Sequence, residues 1–285
     1  MTLPVLLALL AACQFGTALV LTQFALRHAP PAAGARISIL TSALLLAIVA
    51  IAQVDPAGWN PHGAAIFAVV GLVFPIAVTR LTFEANRLLG PSLAGALGNL
   101  APVFAVLGAI ALLAETPTLP QSAALAIIAA GIAALSLARG GAHGGAPRNW
   151  PLAAAALPLA AAAIRGLVQP ITQAGLAFWP SPLAAAAIGY AVSALLILLT
   201  TRPARPSAPA LRWFAAVGLC NGGAVLTLYA ALAAGPVVLV APLVATYPLV
   251  TLALARLLPG SPSPSPATLA GIAATVAGVM LLLAG

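Results

Sequence analysis

Apolar residues run through this chain in long stretches, and polar residues gather in the short gaps between them. About 20 consecutive apolar residues suffice for a helix to cross the hydrocarbon core of a bilayer. Ten such stretches can be read, over Leu3–Leu26, Ala32–Ala52, Ala64–Leu88, Ser92–Ala114, Gln121–Ala138, Leu152–Phe178, Pro182–Thr200, Leu211–Ala233, Val237–Leu257 and Ala267–Ala284. The gaps are rich in Pro and Gly, as at Asp55–Pro61, Gly90–Pro91, Gly235–Pro236 and Ser261–Pro266. None is long enough to fold as a separate domain. Trp59, Trp150, Trp179 and Trp213 stand at span ends, where interfacial aromatic side chains belong. The pattern predicts an all-α, polytopic membrane protein of ten transmembrane helices.

The pattern also repeats. LTFEANRLLGP, from Leu81 to Pro91, returns in degraded form half a chain later as LTLYAALAAGP, from Leu226 to Pro236. Pro31 precedes SALLL at Ser42, and at the same spacing Pro182 precedes SALLI at Ser193. Residues 1–139 and 151–285 therefore read as two five-helix repeats, with 140–150 as a flexible Gly-rich linker. Five is odd, so the second repeat must lie upside down relative to the first. A 5+5 inverted-topology repeat is an architecture of secondary transporters. Spans 5 and 10 carry small residues four apart, Ala126, Ala130 and Ala134, and Ala270, Ala274 and Gly278. Such rows allow close helix packing. Packing within a monomer is expected, with a dimer contact as the alternative.

Composition sharpens this picture. Charged residues are 5% of the chain, against roughly 25% in a soluble domain. The net charge of +8 comes from eleven Arg and no Lys, set against Asp55, Glu84 and Glu115. The Arg lie singly at span ends and form no basic stripe, so nucleic acid is not expected as a partner. They read instead as topology signals. Arg27, Arg36, Arg80, Arg87, Arg139, Arg148, Arg202, Arg205, Arg212 and Arg256 all flank odd-numbered connections, and even-numbered ones contain Asp55 and Glu115. The positive-inside rule then places odd connections in the cytoplasm and both termini outside. The first apolar stretch lacks a basic leader and is long for a signal peptide, so it is read as a span. Cys13 and Cys220 fall inside apolar runs and predict no disulfide framework.

Chemistry must come from polar groups inside the spans. Arg165 lies near the middle of span 6, where a charge costs about 3 kcal/mol or more unless something uses or pairs it. It either ties helices through backbone carbonyls or contacts a substrate in a cavity, and its forked guanidinium suits a carboxylate. Gln14 precedes it by the repeat offset, which predicts comparable depth on the opposite wall. Arg80 and Glu84 are one helical turn apart on span 3, as an interfacial ion pair or a cytoplasmic gate. Glu84 is the one carboxylate inside a span and so the candidate gating or proton group. Asn99, Asn221, Gln169 and Gln173 need partners that lipid cannot supply and should face the bundle interior. Pro75, Pro102, Pro158, Pro170, Pro242 and Pro248 predict kinks in spans 3, 4, 6 and 9. The candidate substrate-binding set is Gln14, Thr17, Arg80, Thr82, Asn99, Arg165, Gln169, Asn221 and Tyr247. Enzyme signatures are missing: there is no HExxH, GxSxG or P-loop, and no Cys/His cluster. No catalytic residue, metal site or cofactor is expected.

The repeated LTxxAxxxxGP stretch, the Pro-containing spans that follow it (Pro102, Pro248) and the small-residue last span resemble the drug/metabolite transporter superfamily. The likeness is greatest to its ten-helix EamA-type exporters. Glu115 after span 4 fits the acidic turn usual there, and the equivalent turn at Pro259–Pro266 departs from it by having no acid. Within the superfamily the chain looks most like the bacterial aromatic amino-acid exporters. The resemblance implies a carrier of the bacterial inner membrane, and the inverted repeat predicts that it works by alternating access rather than as a channel or an intramembrane enzyme. It would export amino acids or similar small metabolites through a central cavity formed by spans 1 to 4 and 6 to 9.

Overall fold

The computed structural model describes residues 2–140, 152–201, 206–257 and 265–284. Residues 141–150 of the expected linker, with Arg148 and Trp150, and Arg202, Arg205 and most of the Ser-Pro run lie outside the described residues, while Gly140 ends α6. Among the described residues the chain is all helical, with no strand. Twelve α-helices occur: α1 (Leu3–Ala25), α2 (Pro31–Gln53), α3 (Pro61–Val73), α4 (Ile76–Gly98), α5 (Ala101–Leu113), α6 (Leu119–Gly140), α7 (Ala156–Phe178), α8 (Pro182–Thr200), α9 (Ala208–Ala234), α10 (Val237–Val244), α11 (Tyr247–Arg256) and α12 (Pro266–Ala284).

The starts follow helix-entry chemistry. Pro occupies the first turn of α1, α2, α3, α5, α8 and α9, where its missing N–H costs nothing. Asn60, Ser181 and Ser207 accept hydrogen bonds from the first-turn amides of α3, α8 and α9.

Proline explains where two predicted spans break. Span 3 divides at Phe74–Pro75 between α3 and α4, and span 9 divides at Ala245–Thr246, just before Pro248. Pro170 and Pro242, by contrast, lie inside continuous helices. One expectation is corrected. The connection expected at Gly90–Pro91 is not a turn, because α4 runs through it to Gly98. The break falls instead at Asn99–Leu100, where Pro102 opens α5.

Seven helical stretches are long and apolar enough to cross a membrane: Leu3–Ala25, Pro31–Gln53, Pro61–Thr82, Pro182–Thr200, Ala208–Ala234, Val237–Leu254 and Pro266–Ala284. Ala101–Leu113 and Leu119–Leu135 are apolar but shorter. Helix α7 has the length, at 23 residues, but carries Arg165, Gln169 and Gln173. The ten predicted stretches thus differ in kind: seven meet both criteria, two are short, and one is unusually polar.

The helices pair in a regular way. Helix α1 packs on α9, and α7 on α4; α2 packs on α9, and α8 on α3; α5 packs on α7, and α11 on α1; α2 meets α8, and α6 meets α12. One hydrophobic cluster contains Ala8, Ile39, Phe67, Tyr190, Leu232 and Val240, so residues of both predicted repeats share a core. The outer faces remain apolar. On α2, Leu44, Ile48 and Ile51 are all well exposed, a stripe suited to lipid.

The connections segregate by end. Trp59 and Trp179, after α2 and α7, meet edge to face with ring centroids 5.2 Å apart. At the other end Phe24 stacks on Trp213 at 5.5 Å, and Arg36 donates to the Thr201 carbonyl at 2.7 Å.

The small-residue rows are used within the chain only in part: Gly278 of the expected α12 row lies in the α6–α12 contact, and other members do not. Ala126, Ala130 and Ala270 are exposed. The α6–α12 contact is made by Ala124, Ile128, Gly131 and Leu135 against Gly271, Thr275 and Gly278. A Cβ added at Gly131 would lie 2.5 Å from Thr275 Oγ1, and one at Gly278 would lie 2.7 Å from Ile128. The interior glycines, not the alanines, set that helix separation.

Candidate functional site

Helix α7 organises the centre of the molecule. Its polar residues Arg165, Gln169 and Gln173 are spaced four apart and so lie on one face. Beside that face Gly166 packs on α5 so closely that a Cβ would lie 2.4 Å from the Ala101 carbonyl oxygen. This contact fixes the rotation of α7.

Between the helices lies a cavity of about 310 Å³. Ligand pockets run from about 300 to 1,000 Å³, so the space suits a small molecule. Helices α1, α2, α4, α7, α8, α9, α10 and α11 all contribute to its lining. Rings of Phe15, Phe74, Tyr190, Phe214, Tyr229 and Tyr247 form much of the wall. Phe214 can take its place because Gly34 faces it: a Cβ there would come within 2.2 Å of the ring. The lining reaches Leu26, which is exposed, and Pro31, so the cavity extends toward the end that carries the α1–α2 connection.

Among the described residues, Arg165 is the one formally charged residue in the lining, and no carboxylate lines the cavity. Among the described residues its guanidinium makes no hydrogen bond or ion pair. Gln169 lines the same space, is 7% exposed, and its Oε1 has no partner among the described residues.

Five of the nine residues anticipated for substrate binding line this cavity together: Thr82, Arg165, Gln169, Asn221 and Tyr247. Asn99 stands behind it, accepting a 3.0 Å hydrogen bond from the Tyr247 hydroxyl. Gln14 is not in the lining; its Oε1 accepts from Thr227 at 2.7 Å and ties α1 to α9. Thr17 returns its hydroxyl to the Cys13 carbonyl at 2.8 Å. Arg80 is exposed and donates to the Thr200 hydroxyl at 2.7 Å, tying α4 to the end of α8. Glu84 is half-buried on α4, outside the lining.

Two polar contacts beyond the cavity had no clear signal in the sequence. Glu115, in the α5–α6 connection, accepts hydrogen bonds from the backbone N–H groups of Val237 and Val238, each at 2.9 Å. Those are orphan donors at the start of α10, and a carboxylate there also meets the positive end of the helix dipole. Gln173 Nε2 donates to the Leu232 and Gly235 carbonyls, each at 2.9 Å. Gly235 in turn packs on Pro4, which a Cβ would approach to 2.7 Å. The Gly235–Pro236 turn is therefore held from three directions, at the end of the molecule away from Leu26. The presence of Glu115 was legible; its partner, far away in the chain, was not.

No group of three or more His, Cys, Asp or Glu that could hold a metal occurs among the described residues.

Known proteins place this architecture. Over the whole chain the fold is similar to that of a solved structure described as "Crystal structure of protein", with a TM-score of 0.77 at 22% identity. That match covers 98% of this chain and 95% of the other. No curated protein matches the sequence. Residues 2–137 match the EamA-like transporter family, whose members are transporters and not enzymes. With its run of apolar helices the chain has the make-up of a multi-helix membrane protein, and its first half is similar to the EamA-like transporters.

Proposed function

We propose that this protein is an alternating-access carrier that exports small carboxylate-bearing metabolites, amino acids foremost, across the bacterial inner membrane. The observation that carries the reading is Arg165. A guanidinium at the centre of a membrane protein needs a counter-charge or water, and this one faces a cavity with no protein partner among the described residues. A substrate carboxylate satisfies it through two parallel hydrogen bonds. The aromatic walls suit an apolar side chain on the same substrate.

Alternating access is supported by the helix pairing. Exchange each predicted span of the first half for its counterpart in the second, and α1–α9 becomes α7–α4, α2–α9 becomes α8–α3, and α5–α7 becomes α11–α1. A pseudo-twofold relating two inverted repeats produces that exchange, and rocking of such repeats about a central site is how these carriers work. The positive-inside distribution of Arg orients the open end of the cavity, near Leu26, toward the cytoplasm. The reading takes the monomer as the working unit, since the α6 and α12 glycines are consumed inside the chain.

Counterflow in proteoliposomes tests this. Vesicles preloaded with unlabelled amino acids should transiently accumulate a radiolabelled one, saturably and in competition with unlabelled substrates. Flux that neither saturates nor shows counterflow would mean a channel.

A further inference from the structure

The cavity reaches toward one end of the molecule and stops short of the other. On α1 its lining runs from Phe15 to Leu26, on α7 it stops at Gln169, and α10 contributes only its last residue, Val244. Beyond that level α10 packs on α1, and Val5, Ala8, Ala11, Val237, Val240 and Leu243 are all buried. Helix α10 is thus the plug. It is eight residues long, bounded by the Gly235–Pro236 turn and by the break at Ala245–Thr246, so it is jointed at both ends. Its outer end is held from elsewhere in the chain. Glu115 accepts from the Val237 and Val238 amides, each at 2.9 Å, a contact that joins the first predicted repeat to the second. The matching positions in the other repeat cannot form this pair. Helix α4 runs unbroken through Gly90–Pro91, so no helix start is exposed there, and Pro259–Pro266 contains no acid.

We propose that α10 is the gate at this end and that Glu115 is its latch. This rests on the carrier reading above and names the contact that must break in each cycle. With both carboxylate oxygens on the α10 amides, the cavity faces the α1–α2 connection. To face the other way, α10 has to leave α1, and its two amides leave Glu115. Hydrogen bonds to an ionised acceptor are the stronger kind, so two of them bias the equilibrium toward the closed gate by about tenfold or more. Removing the carboxylate removes that bias, and the population shifts toward the state open at the α5–α6 end. A carboxylate that merely caps a static helix behaves differently: its loss lowers stability and leaves the facing of the cavity unchanged.

A reporter cysteine in the cavity tests this. Val244→Cys is close in size to the residue it replaces and lies about 10 Å along α10 from Val237, at the inner side of the gate. In a full-length chain with Cys13 and Cys220 replaced, an impermeant maleimide is added to spheroplasts and to inside-out vesicles, so that each end is read separately. With Glu115 intact the reporter should react from one side, the side that carries the α1–α2 connection. Glu115→Ala should raise the rate from the opposite side by about tenfold or more and lower it from the first. Glu115→Gln puts a donor where an acceptor stood, so it should shift the rates in the same direction, and it serves if the alanine variant does not fold. Rates that stay as they were, with only the melting temperature lowered, would make Glu115 a cap and overturn the proposal. A rise from both sides would mean a loosened fold and overturn it too. Equal reaction from both sides with Glu115 intact would contradict the carrier reading itself, and the latch would fall with it.

Discussion

Arg165 is where the physics is least forgiving. A charge at bilayer depth is retained only if paired or solvated, and the partners open to it were carbonyls, amides, water or a substrate carboxylate. Among the described residues no carbonyl or amide takes it, while Gln14 and Asn99 are engaged elsewhere, with Thr227 and Tyr247. An ammonium cannot reproduce the guanidinium fork. Arg165→Lys should therefore raise the concentration of carboxylate substrate needed for half-maximal counterflow by about tenfold, the equivalent of about 1.4 kcal/mol. The melting temperature of the detergent-solubilised protein should stay close to that of the wild type. A large loss of stability with unchanged substrate affinity would make Arg165 a helix tie. The place of Arg165 in the cavity lining was legible in the sequence, because a charge in the middle of an apolar stretch needs a polar or solvated neighbourhood. The fate of Gln14 was not, because a repeat offset says nothing of rotation about the helix axis, and here Gln14 turns toward α9.

Proline, glycine and one carboxylate decide how the elements meet. The breaks near Pro75 and Pro248 followed from residue type, since each proline removes a backbone donor and restricts its predecessor. The break after Gly98 did not follow, because Gly90–Pro91 looked the stronger turn signal and α4 nevertheless passes through it. On α6 and α12 the small-residue rows pointed to the contact through Gly278, but Ala126, Ala130 and Ala270 of the same rows are exposed, since alanine is as acceptable to lipid as to a helix neighbour. Gly131 and Gly278 have no such freedom, because a methyl group added there would meet the facing helix at 2.5 to 2.7 Å. Glu115 makes the strongest prediction at this scale. Its two charge-assisted bonds cap α10, and capping residues contribute about 0.5–2 kcal/mol. Glu115→Ala should lower the midpoint of thermal unfolding accordingly, and Glu115→Asp by less if the shorter chain still reaches one amide. An unchanged midpoint in the alanine variant would show that the α10 amides are as well satisfied by water.

At the scale of the molecule, the start of α2 meets the end of α8, with Arg36 near Thr201, and the connections after α2 and α7 meet through Trp59 and Trp179. A single cysteine at His62, in a chain with Cys13 and Cys220 replaced, should react with an impermeant maleimide on intact cells. One at Ser207 should react only after the membrane is opened. The reverse pattern would turn the open end of the cavity outward. All-helical architecture and the Arg asymmetry were legible because bilayer physics writes them directly into composition. The cavity wall was only partly so: Thr82, Arg165, Gln169, Asn221 and Tyr247 advertise themselves as polar groups in apolar helices, whereas Phe15, Phe74 and Phe214 look like any lipid-facing ring. The most direct test of the account compares a radiolabelled amino acid with its amide in counterflow, in wild-type and Arg165→Gln proteoliposomes. The account predicts robust counterflow of the acid in the wild type, little of the amide, and loss of that distinction in the variant. Equal transport of acid and amide by the wild type, or a distinction that survives Arg165→Gln, would contradict it.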